Sequence, residues 1–437
     1  MSFGSFIKST YYSETPLNEK DYISSRNFSI FEGCTARTVF NLTSGAFLAG
    51  FASYLGADDS FNGIIGALPV LAGVIQLLSP MFFEKMEKRK LQVTILNFLH
   101  RFLLGLMVFI PFIAVGRTSR LFLLAGIYFL AYLALSFASP AASGMLIDLT
   151  PENIRGRYFG VRESYLLAVG IVLTLIMGVI MDAFKDNGNQ YGGFIVMFSL
   201  VLLMAVGNFF FWSNIKEPHI KRNKMALDLR QIVTIPLKDK GFRKIVLLFV
   251  LYNVGLQIGA PFFSVYMVTG LKLNYTFIML MSMMGTLTNV LLVRVWGRVA
   301  DQKSWVFVIK YSILLLGITH FLWFFVNPST AGIMIPFLHV MSGAAWAGIG
   351  ISTFNIQFKF SPEEGRTIYI GFNAALGGIM GFAGTLAGSV LLVVFSKLNM
   401  NLTGFTIGGM QIILSTSGVL LALCAGYIHF FIKQPVT

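Results

Sequence analysis

Twelve apolar runs, each long enough to cross a bilayer, leave this chain of 437 residues almost no polar length from which to build a water-soluble core. They fall near 28–55, 61–83, 91–115, 121–147, 158–182, 193–214, 245–269, 275–297, 306–326, 331–358, 368–396 and 405–432. A helix needs about 20 apolar residues to cross about 30 Å of hydrocarbon. Strands of a membrane barrel would be about 10 residues long and would alternate in polarity, which these runs do not. Composition agrees: 56% of residues are hydrophobic and 12% charged, where a soluble domain carries about 25% charged residues. The mean hydropathy is +0.74. The expected fold class is therefore an all-α membrane protein of twelve transmembrane helices.

A net charge of +14 would suit a nucleic-acid binder, but its placement argues for membrane topology. With the first residues inside, most of the 33 Lys and Arg fall on inner segments, and the outer loops hold only Arg117, Arg120, Lys185, Lys272 and Lys397. Positive charge retained on the cytoplasmic side sets orientation. Both termini are expected in the cytoplasm, and the chain in the cell membrane. Inner positive charge also suits contact with anionic lipid headgroups. No short apolar core with a small-residue cleavage site precedes the first span, so no cleaved leader is expected. Cys34 and Cys424 both lie within spans and imply no disulfide framework.

The chain also repeats itself. Thr150-Pro151-Glu152-Asn153-Ile154-Arg155-Gly156-Arg157-Tyr158 returns 211 positions later as Ser361-Pro362-Glu363-Glu364-Gly365-Arg366-Thr367-Ile368-Tyr369. Gly45-Ala46 corresponds to Gly259-Ala260, and the acidic ends of spans two and eight, Glu84 and Asp301, are similarly separated. Duplicated halves of this kind are a common plan for membrane transporters. The expected organisation is a cytoplasmic segment 1–27, a six-helix bundle 28–214, a basic linker 215–244 and a second six-helix bundle 245–437. Within the linker, Leu227, Leu229, Ile232, Val233 and Leu237 suit an amphipathic surface helix interrupted at Pro236.

Six plus six spans, inner termini and a basic central loop resemble the major facilitator superfamily, in a prokaryotic-type form. The sharpest local match is the loop after span two, which in that family reads Gly-x-x-x-acid-base-x-Gly-x-base-base. Here it reads Pro80-Met81-Phe82-Phe83-Glu84-Lys85-Met86-Glu87-Lys88-Arg89-Lys90. The acid and the bases match, while Pro80 and Glu87 replace the two glycines. The second half offers Gly297-Arg298-Val299-Ala300-Asp301 and then departs from the pattern. The resemblance implies a gate. Glu84 would meet the start of span eleven near Arg366, and Asp301 the start of span five near Arg155 and Arg157, with Arg89 beside the first contact. A carboxylate is stabilised near a helix amino end, so such contacts would favour a closed inner side.

The resemblance further implies that spans one, four, seven and ten line a central solute cavity. Polar residues gather on these spans: Tyr132 on the fourth, Asn253 and Gln257 on the seventh, and His339, Trp346 and Asn355 on the tenth. Span one carries two charges, Glu32 and Arg37, about 140° apart around a helix. Shifting Gln257 back by the repeat interval places Glu32 toward the cavity, while Arg37 shares a stripe with Asn41; Glu32, Arg37 and Asn41 all stay candidates for solute contact. Buried charges require partners, so Glu32, Arg101, Asp148, Arg162 and Glu163 are expected to form an inner cluster. It acts either as a structural ion network or as a proton-coupling carboxylate site; both roles stay open at this point. Glycines 377, 378, 381, 384 and 388 on span eleven suit tight helix packing more than bending.

The implied function is secondary active transport of a small solute by alternating access, coupled to protons. A multidrug or toxic-compound efflux pump of the same fold, or a membrane receptor that binds without transporting, are the alternatives. The Gly-rich element of proton-coupled drug exporters is absent from span five, where Gly170 to Gly178 reads otherwise. No phosphate-binding Gly-Lys loop appears. No catalytic residue, metal site or cofactor is expected, and five scattered His supply no catalytic cluster. The expected partners are a solute, protons and membrane lipid, with no nucleic acid and a monomeric state.

Overall fold

A computed structural model describes residues 10–12, 16–113, 116–218, 229–362, 366–395, 400–402 and 405–432. The linker residues Lys221, Arg222, Lys224 and Leu227, and Glu363, Glu364 and Gly365 of the repeat, lie outside the described residues. In chain order the helices are α1 (Glu19–Leu42), α2 (Gly45–Tyr54), α3 (Asp59–Ala72), α4 (Ser79–Phe83), α5 (Lys90–Leu106), α6 (Ile110–Ile113), α7 (Arg117–Asp148), α8 (Glu152–Asp186) and α9 (Gln190–Asn214). There follow α10 (Leu229–Lys238), α11 (Lys240–Gln257), α12 (Ala260–Val265), α13 (Tyr275–Gln302), α14 (Trp305–Leu322), α15 (Ala331–Phe360) and α16 (Arg366–Phe395). A short hairpin pairs β1 (Met400–Leu402) with β2 (Phe405–Ile407) before α17 (Gly409–Phe431).

Among the described residues, 11 helical spans are long and apolar enough to cross a membrane. The expected first span is instead a broken pair, α1 and α2. Asn18 starts α1 through a capping box with Asp21. Thr43 ends it, and Gly45 takes a φ of +56°, a left-handed conformation that glycine adopts without penalty. The break leaves the Thr43 carbonyl without a helical partner, and Tyr128 of α7 donates its hydroxyl there at 3.1 Å. The seventh span breaks at the equivalent place in the repeat: α11 gives way at Ile258 and Gly259 to α12 and a π-helical turn, Tyr266–Gly270. Gly45 and Gly259, paired by the sequence repeat, thus both sit at helix interruptions.

Contacts divide the chain into two compact units, one of residues 1–51 and 75–227, the other of residues 52–74 and 228–437. In the first unit α9 packs on α1 and α5, α5 on α7, and α8 on α1. One end of it holds an apolar knot of Phe83, Val93, Met145, Leu149 and Trp212. In the second unit α14 packs on α15 and α17, α13 on α15, and α16 on both α11 and α3. The glycines of span eleven serve that packing. A Cβ at Gly384 would lie 2.9 Å from the Val254 carbonyl, and one at Gly378 would lie 2.9 Å from the Val70 carbonyl. The small-residue face lets backbones approach to contact, as membrane helices require. In the linker, α10 follows the expected amphipathic segment, with Ile232 buried and Val233 and Leu237 exposed, but it runs through Pro236, where an interruption was expected.

Candidate functional site

The first unit contains a polar seam where α1 runs along α8. Rungs recur roughly every turn: Ser29 meets Tyr158, Glu32 meets Arg162, Arg37 meets Glu163, and Asn41 meets Thr174. Two glycines create the room. A Cβ at Gly33 would lie 2.6 Å from the Arg162 guanidinium, and one at Gly170 would lie 2.8 Å from Cγ of Arg37. Without side chains at these positions the two helices close enough for short polar side chains to bridge them.

The inner part of the seam is a buried ion triad. Glu32 is 5% exposed. Its carboxylate accepts from Arg101 of α5 at 3.4 Å and from Arg162 of α8 at 3.1 Å. Asn208 of α9 adds its amide to the Glu32 carbonyl and to Thr35 Oγ1. Arg101 also donates to the backbone and side-chain oxygens of Asn97. Its guanidinium is 3% exposed and lies about 16 Å along α5 from Lys90, at 1.5 Å per residue. So four helices are tied to one carboxylate. A buried charge so surrounded is stable because its partners replace the water it lost.

The sequence symmetry placed Glu32 toward a cavity. The structure corrects this: Glu32 is enclosed by α5, α8 and α9, and Arg37 is the charge left open. Arg37 donates to Glu163 at 2.6 Å, with the two side chains 34% and 48% exposed. Glu163 lies about 16 Å along α8 from Glu152. A charge pair half-open at this depth cannot face hydrocarbon, where each charged side chain is costly. A flank of α1 and α8 turned to water would accommodate it. The opposite flank of α8 carries Tyr165, Val169 and Leu173 and borders an apolar groove of about 550 Å³, in keeping with lipid.

Asp148, expected in the cluster, is exposed at the end of α7, and none of the described ion pairs of Arg37, Arg101 or Arg162 includes it. Distance along α7 explains this: Asp148 is the last residue of its helix, while the triad lies deeper. Tyr132, expected to line a cavity, is 4% exposed and packs edge-on against His100 and at a tilt against Tyr128 inside the unit. Asn208 was invisible to sequence reasoning, although an Asn flanked by Leu- and Phe-rich sequence inside span six was the available signal.

In the second unit Asn253, Gln257, His339 and Asn355 are partly exposed and Trp346 is 38% exposed. Asn253, His339 and Asn355 turn back to carbonyls of their own helices, those of Phe249, Ile335 and Ile351. Gln357 and Asn373 bridge α15 and α16 at 2.8 Å. Of the residues expected to gate, Arg155, in the first turn of α8, donates to the Thr150 carbonyl just before that helix, Asp301 is exposed at the end of α13, and Glu84 ends α4. The Arg366 side chain lies outside the described residues. Arg89 offers its backbone N–H to Glu217, which also accepts from Lys90 and so caps the start of α5. Burial pushes the Glu217 carboxyl up, against the pull of these two N–H groups.

The sequence pattern of the Major Facilitator Superfamily matches residues 33–385. The chain belongs to that superfamily. Solved structures share its fold at low identity. The D-xylose-proton symporter is 13% identical with a TM-score of 0.71, over 94% of this chain and 98% of that one. The nucleoside transporter NupG is 12% identical with a TM-score of 0.67, over 95% and 100%. The xylose transporter XylE from E. coli, in an inward-open conformation, is 14% identical with a TM-score of 0.63, over 95% and 96%. No curated protein matches the sequence. Superfamily membership and the apolar helices make the chain a multi-pass membrane protein and a transporter by family.

Proposed function

We propose that the protein is a secondary active transporter that carries a small solute across the cell membrane by alternating access, with both termini cytoplasmic and protons as the coupling ion. The observation that supports this reading is the Arg37–Glu163 pair, 2.6 Å apart and partly exposed on the seam of α1 and α8. Lipid cannot tolerate such a pair, and a purely structural pair would be enclosed as Glu32 is. Solute contacts are assigned to Arg37 and Asn41 in the first unit and to Asn253, Gln257, His339, Trp346 and Asn355 in the second. The buried triad of Glu32, Arg101 and Arg162 holds α1 rigid beneath that site. Glu84 with Arg366, and Asp301 with Arg155 and Arg157, are the pairs proposed to hold the inner side shut. Proton coupling is by analogy with the proton symporter named above.

The test is uptake by proteoliposomes containing the purified full-length protein. A mixture of labelled metabolites is offered with and without an inward proton gradient, and retained solutes are identified by mass spectrometry. At least one solute should accumulate above protein-free vesicles, and faster with the gradient. A solute that stabilises the protein thermally yet never enters the vesicles would make it a receptor instead.

A further inference from the structure

The mid-span charges of the first unit do not balance. Three guanidiniums, those of Arg37, Arg101 and Arg162, face two carboxylates, those of Glu32 and Glu163. Among the described residues no other carboxylate comes within ion-pair distance of the three. The surplus is not evenly available. Arg101 is sealed in and bonded to Asn97 and Glu32. Arg162 is spent on Glu32 and the Ser29 carbonyl. Arg37 alone is one-third exposed, and it gives a single Nη to Glu163. Among the described residues its guanidinium has no other hydrogen-bond partner.

From this geometry we infer that the transported solute is a small singly charged oxyanion, and that Arg37 is its anchor. This deepens the transporter reading above and rests on it. A guanidinium offers paired N–H donors matched to a carboxylate, phosphonate or sulfonate edge. Glu163 orients the fork by holding one Nη while leaving the outer edge open. Asn41, one turn above, donates one amide N–H to Thr174 and keeps the other for the anion. Gly170 lets the Arg37 stem lie flat on α8, so the fork is carried at a fixed height. A monoanion docked here brings the mid-span set to neutrality. A cationic solute would add to the surplus, and a neutral one would leave it uncompensated.

The experiment uses purified full-length protein and thermal unfolding with lactate, benzoate and methylphosphonate. Lactamide and benzamide serve as neutral counterparts, and chloride balances ionic strength. At least one oxyanion should raise the unfolding temperature by about 2 °C or more at saturation, and the amides should not. A response to lactate or benzoate assigns the site to carboxylates; a response to methylphosphonate alone assigns it to tetrahedral anions. Arg37→Gln should weaken the response about tenfold or more, and Arg37→Lys, which keeps charge without the fork, should fall between. The double variant Arg37→Gln, Glu163→Gln leaves no unpaired carboxylate and guards against misfolding. The inference is overturned if no oxyanion stabilises the wild type, if amides act equally, or if either glutamine variant responds like the wild type. Uptake of a neutral or cationic solute in the proteoliposome screen would refute the anion assignment while leaving the transporter reading intact.

Discussion

Replacing Glu32 by Gln tests the ion triad most directly. The substitution keeps shape and one acceptor but removes the only carboxylate that, among the described residues, serves Arg101 and Arg162. Arg162, at 16% exposure, can turn toward water. Arg101, at 3%, cannot. Removing one partner of a buried pair costs about 3–5 kcal/mol. The retained amide oxygen and the freedom of Arg162 place this case near the lower end, about 3 kcal/mol. At about 2 °C per kcal/mol, the unfolding temperature of the purified protein should fall by about 6 °C. The assay is thermal unfolding in detergent, followed by intrinsic fluorescence. Adding Arg101→Met removes the stranded charge, so the double variant should regain at least half of the loss. Contacting residues in one network show such non-additivity. Additive losses in the double variant, or a single variant within about 1 kcal/mol of wild type, would refute the account of Glu32 as the carboxylate that neutralises a sealed guanidinium.

Asn208→Leu removes donors to the Glu32 carbonyl and Thr35 and should cost about 1–3 kcal/mol, read as a lower unfolding temperature. Gly384→Val, which sets side-chain atoms against the Val254 carbonyl, should separate α16 from α11 and reduce the yield of folded protein in size-exclusion chromatography. Glu217 has a carboxyl raised above its ordinary 4.5 by burial. Its protonated form is thus relatively favoured in the fold, so its contribution is full below 4.5 and declines as pH rises through the raised value. Glu217→Gln should flatten the fall in unfolding temperature over that window; an unchanged slope would count against it. Glu84→Gln should increase labelling, by impermeant thiol reagents applied to the inner side, of a cysteine introduced at Asn41 in a protein lacking Cys34 and Cys424.

Residue type made the helical character and membrane placement legible, because a run of apolar residues long enough to span hydrocarbon has few other stable forms. The repeat marked Gly45 and Gly259 as equivalent, and both turned out to sit at helix breaks. That Arg101 would need a carboxylate partner was also readable, since a charge inside a span needs a counter-charge; which of Glu32, Asp148 and Glu163 would supply it was not. Which of Glu32 and Arg37 would be enclosed was not. Periodicity separates them by angle around α1 but does not say which angle meets a neighbour. Pseudo-symmetry gave the wrong face, because Asn208 has no polar counterpart that the repeat could reveal.

The sequence by itself determined that the chain crosses lipid many times, which side its positive charge favours, and which few residues are too polar to be ignored. These are one-dimensional matters, set by transfer free energies along the chain. Tertiary structure alone decided that α1 is walled on one flank by α5 and α9 and riveted to α8 on the next. That packing seals Glu32 with two guanidiniums and leaves Arg37 open to water. The physical reason is that exposure is a property of neighbouring helices, whose spacing here is set by Gly33 and Gly170, and no helix carries that information alone.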